Sequence, residues 1–458
     1  MKKRLRLALS VALIGLSAPA MAQDAATPPP SNAAPVAQGG RLRVDITGGI
    51  SQPMPIAIPV MPTPAPVDTA AGGTALLGQK VAEIVANDLK GSGLFAPIGP
   101  AGVQPVSYPE VTAPNYGIWV SAGAQALVEG FVQANGDGTL TVGCYLYDTY
   151  SQSELARQGF VVTPPFWRRA AHKCADTVYT RLTGEGPYFD SKVAYISETG
   201  PKNRRIKRLA YMDQDGANHR FLTNGQSIVL TPRFAPNSQT LVYMAYTNNR
   251  PRIYTFDINT GQNRLVVDLP NMTFAPRFSP DGRYILFSMA IAGNTDIYRI
   301  PSTGGTPQRL TTSPGIDTGA SFSPDGSRIV FESDRSGSQQ LYVMNPDGSG
   351  QNRISFGGGR YGTPVWSPRG DLIAFTKMGG GFNVGVIAPD GSGERILTNG
   401  WQDEGPSWSP NGRVIMFFRT AQGSGRADLW SVDLTGVNER RIPTPLDGSD
   451  PAWSPLLP

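Results

Sequence analysis

The sequence predicts a multidomain fold: an N-terminal α/β domain, then an all-β propeller of six blades closed by pairing of the C-terminal strand with the first blade. Three observations predict it. From about Tyr188 onward only short strands are legible, and Ser-Pro turns recur among them with a period in the low forties. Between Arg41 and Gly184 helical and strand periodicities alternate instead. Finally, the last ten residues, "SDPAWSPLLP", begin a repeat that they do not finish. Composition agrees with this reading. Across 458 residues there are 53 Gly and 41 Pro, and only 16% are charged, against roughly 25% in an average soluble protein. Many turns and few charges favour a β body over a helical bundle.

The chain opens as an export signal over residues 1–22. Lys2, Lys3, Arg4 and Arg6 give a basic start, "LALSVALIGLSAPA" an apolar run, and Ala20-Met21-Ala22 a small-x-small cleavage site. The run is too short to span a bilayer, and no other stretch is long enough, so no transmembrane segment is expected. A soluble mature chain outside the cytoplasm follows. The leader also explains the charge: without its four basic residues the formal +5 falls to +1, and a nucleic-acid partner loses its main support. Residues 23–40 are Pro/Ala-rich and nearly uncharged, and read as a flexible lead-in.

In the α/β domain, 41–184, "RLRVDI" and "PIAIPVM" read as strands. "TALLGQKVAEIVANDLKGSG" places Leu77, Val81, Ile84, Val85 and Leu89 on one helical face, with Gly91 or Gly93 to end it. "AQALVEGFVQA" and "TLTVGCYLYD" flank "NGDG", a hairpin turn. The helix of 164–184 opens on Pro, closes on Gly184, and carries Trp167, Ala170, Ala171, Cys174, Val178 and Leu182 as its apolar stripe. Cys144 and Cys174 are the only cysteines, and they are read either as one disulfide or as two separately buried thiols. His172 projects from the opposite side of that helix, which predicts exposure, and the same is expected of His219 in the "DGANHR" turn.

In the propeller, 188–458, the repeats centre on Pro236, Pro280, Pro324, Pro368, Pro410 and Pro455. Each unit reads as four strands, such as "TPVWSP", "LIAFTK", "NVGVIAP" and "ERILT". Pro fixes φ, Asp or Asn bonds its own backbone, and Gly takes positive φ at the turn between the first two. The aromatic before Ser-Pro is expected to wedge between blades. Tyr243, Phe287, Phe331, Phe375 and Phe417 follow the prolines at a fixed offset, and Tyr195 in "KVAYISE" is a sixth copy with no Ser-Pro before it. The first blade therefore lacks a first strand, while the C-terminus has a first strand and nothing more. Together they complete one blade.

No catalytic constellation is present. G-x-S-x-G, C-x-x-C, H-E-x-x-H and phosphate-loop patterns are absent, so an enzyme, a cofactor and a metal are not expected. "DQDG" lacks the later ligands of a calcium loop. What remains is surface. The segments ahead of the inner strands gather Asp317, Thr318, Asp403, Glu404 and Asp450 around one mouth of the ring, a usual place for a binding platform. A carbohydrate or peptidoglycan binder, suggested by Trp366, Trp408 and Trp453, and a degenerate peptidase-type propeller are the rival readings.

An export leader, an α/β domain of this size, blades built on P-x-[WF]-S-P-[DN]-G and a terminal "PAWSP" resemble the TolB family of the Tol–Pal cell-envelope system. "LRVDITGGISQPMPIAIP" and "FWRRAAHKCADTVYTRLTG" are similar to that family's N-terminal domain, so the resemblance runs from about Leu42 to the end. It implies a monomeric, non-enzymatic periplasmic adaptor that serves outer-membrane integrity and cell division. The implied partners are the Pal lipoprotein at the propeller mouth and TolA at the start of the mature chain, with other outer-membrane lipoproteins or bacteriocins as further users of the mouth. Carried over by position, the TolA segment is Arg41–Gln52, beginning Arg41, Leu42, Arg43, Val44, Asp45 and Ile46. The Pal-facing residues are Met272, Ala275, Thr318, Asp403 and Glu404, with Asp317 beside them. Met272 stands where the family often has His, the segment sits behind a Pro-rich tether, and the two cysteines are not general in the family.

Overall fold

A five-stranded mixed sheet organises the first part of the chain, in a computed structural model that describes residues 42–44, 52–201, 203–237, 239–423 and 425–457. Its order is Phe95–Ile98, Met54–Ala57, Ala126–Ala134, Leu140–Asp148 and Ser153–Val162. The first pairings, of Met54–Ala57 with its two neighbours, are parallel, and the other two are antiparallel. The last strand escaped the sequence reading because most of its residues are exposed or half-buried, leaving no apolar alternation to see.

Beside the short helix α2 (Tyr116–Ser121), two long helices, α1 (Thr74–Gly91) and α3 (Trp167–Thr183), pack against each other and against this sheet. The stripe Leu77, Val81, Ile84, Val85 and Leu89 is buried as its spacing requires. Gly78 in α1 has a packing reason, since a Cβ there would stand 1.9 Å from the Met61 carbonyl oxygen. α3 ends where Gly184 adopts φ 77°, and its N–H donates to Thr180 O at 2.9 Å. Cys144 and Cys174 are joined as a disulfide, with Cα atoms 5.6 Å apart, tying α3 to the sheet. In the chain-entropy account, closing a 30-residue loop stabilises by about 3–4 kcal/mol.

The second part is a β-propeller. Four sheets are four-stranded and separate; a fifth assembly has eight strands, two four-stranded sets joined by the single parallel pair Phe382–Gln402. The strand Asp447–Trp453 pairs antiparallel with Lys192–Thr199, setting Trp453 opposite Val193. Tyr195, Phe287, Phe331, Phe375 and Phe417, all on second strands, are fully buried, and so is Tyr361 on an inner strand. Of the aromatics that end the inner strands, Trp366, Trp408 and Trp453 are buried, but Phe234, Phe278 and Phe322 are only half-buried and line the channel, so these three are not the expected wedges.

One apolar core runs through both parts, from Leu77 and Val178 to Tyr195, Val414 and Trp453. Polar contacts then fix one end of the propeller to the first part. Asn411 Nδ2 donates to Gly186 O at 2.9 Å, Asn438 Nδ2 to Gly91 O at 2.8 Å, and Gln214 Nε2 to Asp88 Oδ1 at 2.8 Å. All three donors sit in turns between first and second, or third and fourth, strands. The inner strands begin at the other end, so the mouth named from sequence faces away from the α/β domain.

Candidate functional site

Each inner strand carries a β-bulge at the same point. The register slips between Leu230 and Arg233, Phe274 and Arg277, Thr318 and Ser321, Gly362 and Val365, Glu404 and Ser407, and Ser449 and Ala452. Within each slip one residue is left-handed: Thr231 (φ 48°), Ala275 (52°), Gly319 (67°), Thr363 (48°), Gly405 (66°) and Asp450 (50°). Five of these precede a proline, which has no N–H for the ladder and so sits where pairing is interrupted. For the four that are not glycine this conformation costs roughly 1–2 kcal/mol each. The bulges re-aim the side chains at the start of every inner strand around the channel.

Asp317 and Asp403 are not open at the mouth as a binding platform would need. Both are fully buried. Arg335 Nη2 donates to Asp317 Oδ2 at 2.7 Å, and Arg419 grips Asp403 through Nε at 2.6 Å and Nη2 at 2.8 Å. Hydrogen bonding to Asp403 raises the Arg419 pKa further despite its burial. These pairs pin the inner strands to their second strands. Thr318 is similarly tied: its hydroxyl donates to Glu332, whose other oxygen accepts from the Thr363 N–H at 2.8 Å in the next sheet. Burial pushes the Glu332 carboxyl up against those two bonds.

Glu404 and Asp450 are the half-buried acids that remain at the channel. Burial, then the charge of Asp450, raises Glu404 to about 7. Met272 is 40% exposed, its sulfur accepting from the Tyr246 hydroxyl at 3.4 Å. Other exposed apolar side chains that the sequence left unmarked stand at the same end of their sheets: Ile228, Ile291, Ile316, Phe356 and Trp401, exposed by 42–72%. Four of the six, Met272 included, occupy the first position of an inner strand or the one before it, which is the signal that could have found them. Exposed apolar side chains repeated at the same end of several sheets suit a contact surface.

Comparison with known proteins agrees with this architecture. The family model described as the TolB beta propeller domain matches residues 179–457, and that of the TolB amino-terminal domain matches 42–155. The chain belongs to the TolB family. It is 79% identical over 417 residues to the Tol-Pal system protein TolB of Zymomonas mobilis, covering 91% of each chain. With the protein of the same name from Rhizorhabdus wittichii it shares 75% over 456 residues, 99% of this chain and all of the relative. The crystal structure of TolB from Acinetobacter baumannii superposes with a TM-score of 0.76 at 27% identity, covering 91% of this chain and 100% of that one.

Against that TolB frame, the remaining sequence-derived sites fall as follows. Of the N-terminal segment, Leu42, Arg43 and Val44 are described, whereas Arg41, Asp45 and Ile46 lie outside the described residues. Val44 N–H donates to Leu182 O at 2.9 Å, and Leu42 and Val44 pack on the core beside the end of α3. Trp366, Trp408 and Trp453 are only 8%, 6% and 6% exposed, so they offer no sugar-stacking platform. His172 is not exposed either: it is 3% exposed, its Nδ1 2.6 Å from Asp88. Burial alone would lower the imidazole, but the Asp88 carboxylate outweighs it and holds His172 up at about 9. His219 is half-buried against Tyr195 and Phe221, and burial lowers it. Helical projection placed His172 correctly opposite Cys174; what it lacked were Asp88 of α1 and Asp213 of the propeller, which meet that side.

His172, Asp213 and Asp215 are grouped closely enough to suggest a cation site. Asp213 is already held by Lys192 and by Arg168 at 3.0 Å, and Arg168 also reaches Asp215 at 2.6 Å. The group is a salt-bridge network with its charges met.

Proposed function

We propose that this chain is a non-enzymatic periplasmic component of the Tol–Pal system that takes the Pal lipoprotein at the propeller mouth and TolA through the segment Arg41–Gln52. In that role it serves outer-membrane integrity and envelope constriction at division. We count six blades: the eight-stranded sheet is two blades meeting at one bridge, and the first blade is completed by the tail. Residues 1–22 are its cleaved leader, 23–40 a tether, 41–184 the α/β domain and 188–458 the propeller. The observation that carries the reading is the rim of exposed Ile228, Met272, Ile291, Ile316, Phe356 and Trp401 on the face turned away from the α/β domain.

Pal would lie across this rim, reaching Ala275, Thr318 and Glu404, while Asp317 and Asp403 hold the strands that present them. TolA would engage the N-terminal segment, whose Leu42–Val44 portion leans on the last turn of α3, next to the connection into the propeller. A segment that can either pack on its own fold or pair with a partner's strand is suited to couple two binding events. Capture of purified soluble Pal by the mature protein is the test. Binding that survives deletion of 41–52, together with loss of TolA binding, is expected. A folded chain that captures no Pal would end the proposal.

A further inference from the structure

The channel holds a cavity of about 400 Å³, lined by the far ends of the inner strands and the proline turns that follow them, within the range of small-molecule sites. Its wall is mainly apolar, with Phe278, Trp366, Trp408 and Trp453 among its members, and two guanidinium groups, Arg233 and Arg277, line it. Both arginines follow the proline of a bulge, in "TPR" and "APR", so equivalent positions of neighbouring sheets aim like charges into one space. Arg233 donates to its neighbour's carbonyl, Pro232 O, at 2.6 Å, and feels Asp450 from the mouth side. Arg277 has no carboxylate partner among the described residues; the charge that acts on it is Arg233. Burial and that like charge together hold Arg277 well below the ordinary arginine range.

Two adjacent cations in an apolar cavity are unfavourable unless an anion joins them, because burial of an uncompensated charge is costly. A fold that only needed to fill this space would use two apolar side chains. We propose that the cavity is a binding site for a carboxylate carried on an apolar body, its oxygens held by Arg233 and Arg277 and its body against the apolar wall to which Phe234, Phe278 and Phe322 contribute. Guanidinium suits a carboxylate because its planar N–H fork can bond both oxygens. A free small acid and the C-terminal carboxylate of a peptide share this chemistry. The site is distinct from the rim proposed for Pal, and its fate does not depend on that proposal.

The test is titration of the mature protein with benzoate, benzyl alcohol and inorganic phosphate at matched ionic strength, read by tryptophan fluorescence and calorimetry. Benzoate should bind, benzyl alcohol at least ten-fold more weakly, and phosphate more weakly than benzoate. R277Q and R233Q should each lose ten-fold or more of the benzoate affinity. R277Q without ligand should keep the parent's urea midpoint or exceed it, and should still capture Pal. An acetylated dipeptide acid that binds more tightly than benzoate assigns the chain-terminus source; tighter benzoate assigns the free acid. Unchanged affinity in R277Q, no binding of benzoate, or phosphate binding as tightly as benzoate would each overturn the assignment. So would a lowered urea midpoint for R277Q, which would make the guanidinium a structural group.

Discussion

Removing the Trp453 side chain tests whether the tail is part of the fold. In W453A a buried indole is deleted from the core shared by the sheet, α3 and the closing strand. Truncations of that size cost about 3–5 kcal/mol in transfer and cavity terms. The indole N–H also donates to Ser191 Oγ at 2.8 Å, a bond worth about 1 kcal/mol. Ser191 keeps its own bond to Tyr188 O at 2.6 Å, so no further orphan is created. The expected total is about 4–6 kcal/mol, a large share of the roughly 5–15 kcal/mol that holds a domain folded. W453F keeps most of the apolar contact and should cost about 1–2 kcal/mol, most of it the lost bond. Equilibrium urea unfolding, with the m-value checked for constancy, reads both. A loss under 1 kcal/mol in W453A would refute the reasoning, because a tail merely resting on the surface would give that result.

Three further outcomes are expected. Glu129 is buried, neither carboxylate oxygen has a hydrogen-bond partner among the described residues, and burial followed by the charge of Glu110 raises it to about 8. A raised carboxyl leaves stability intact below about pH 4.5 and removes it as pH climbs through 8, so E129Q should match the parent at pH 5 and exceed it by about 3–5 kcal/mol at pH 9 in urea unfolding. His172, held up at about 9 beside Asp88, contributes stability that is complete below about pH 6.5 and fades as pH rises through 9. D88N should therefore cost about 3 kcal/mol at pH 6, with a smaller difference from the parent near pH 10 in melting curves. The double Cys144→Ser, Cys174→Ser variant should lose about 3–4 kcal/mol, measured against the oxidised parent.

Local signals in the sequence located much of this architecture. The apolar stripes of α1 and α3, the "NGDG" hairpin and the Pro-Asp-Gly turns each need only their own neighbours, and each stands where spacing put it. The unfinished "AWSP" pointed to pairing with "KVAYISE", 260 residues away, because a strand edge must be met by something. What stayed hidden depended on partners that no local pattern names. His172 needed Asp88 of α1 and Asp213 of the propeller, Asp317 needed Arg335, and Asp403 needed Arg419. The exposed rim was hidden differently: a lone Ile or Trp ahead of a strand looks like the strand's first core residue. Only the bulge, which turns that end outward, tells them apart.

The most direct measurement is a calorimetric titration of soluble Pal into the mature protein and into two single variants. Trp401→Ala removes an exposed aromatic from the rim, and Val161→Ser replaces an even more exposed apolar side chain on the α/β domain's outer strand. The account predicts that Trp401→Ala weakens Pal at least ten-fold and that Val161→Ser leaves it unchanged. Equal affinity for all three proteins, or weakening by Val161→Ser alone, would contradict it.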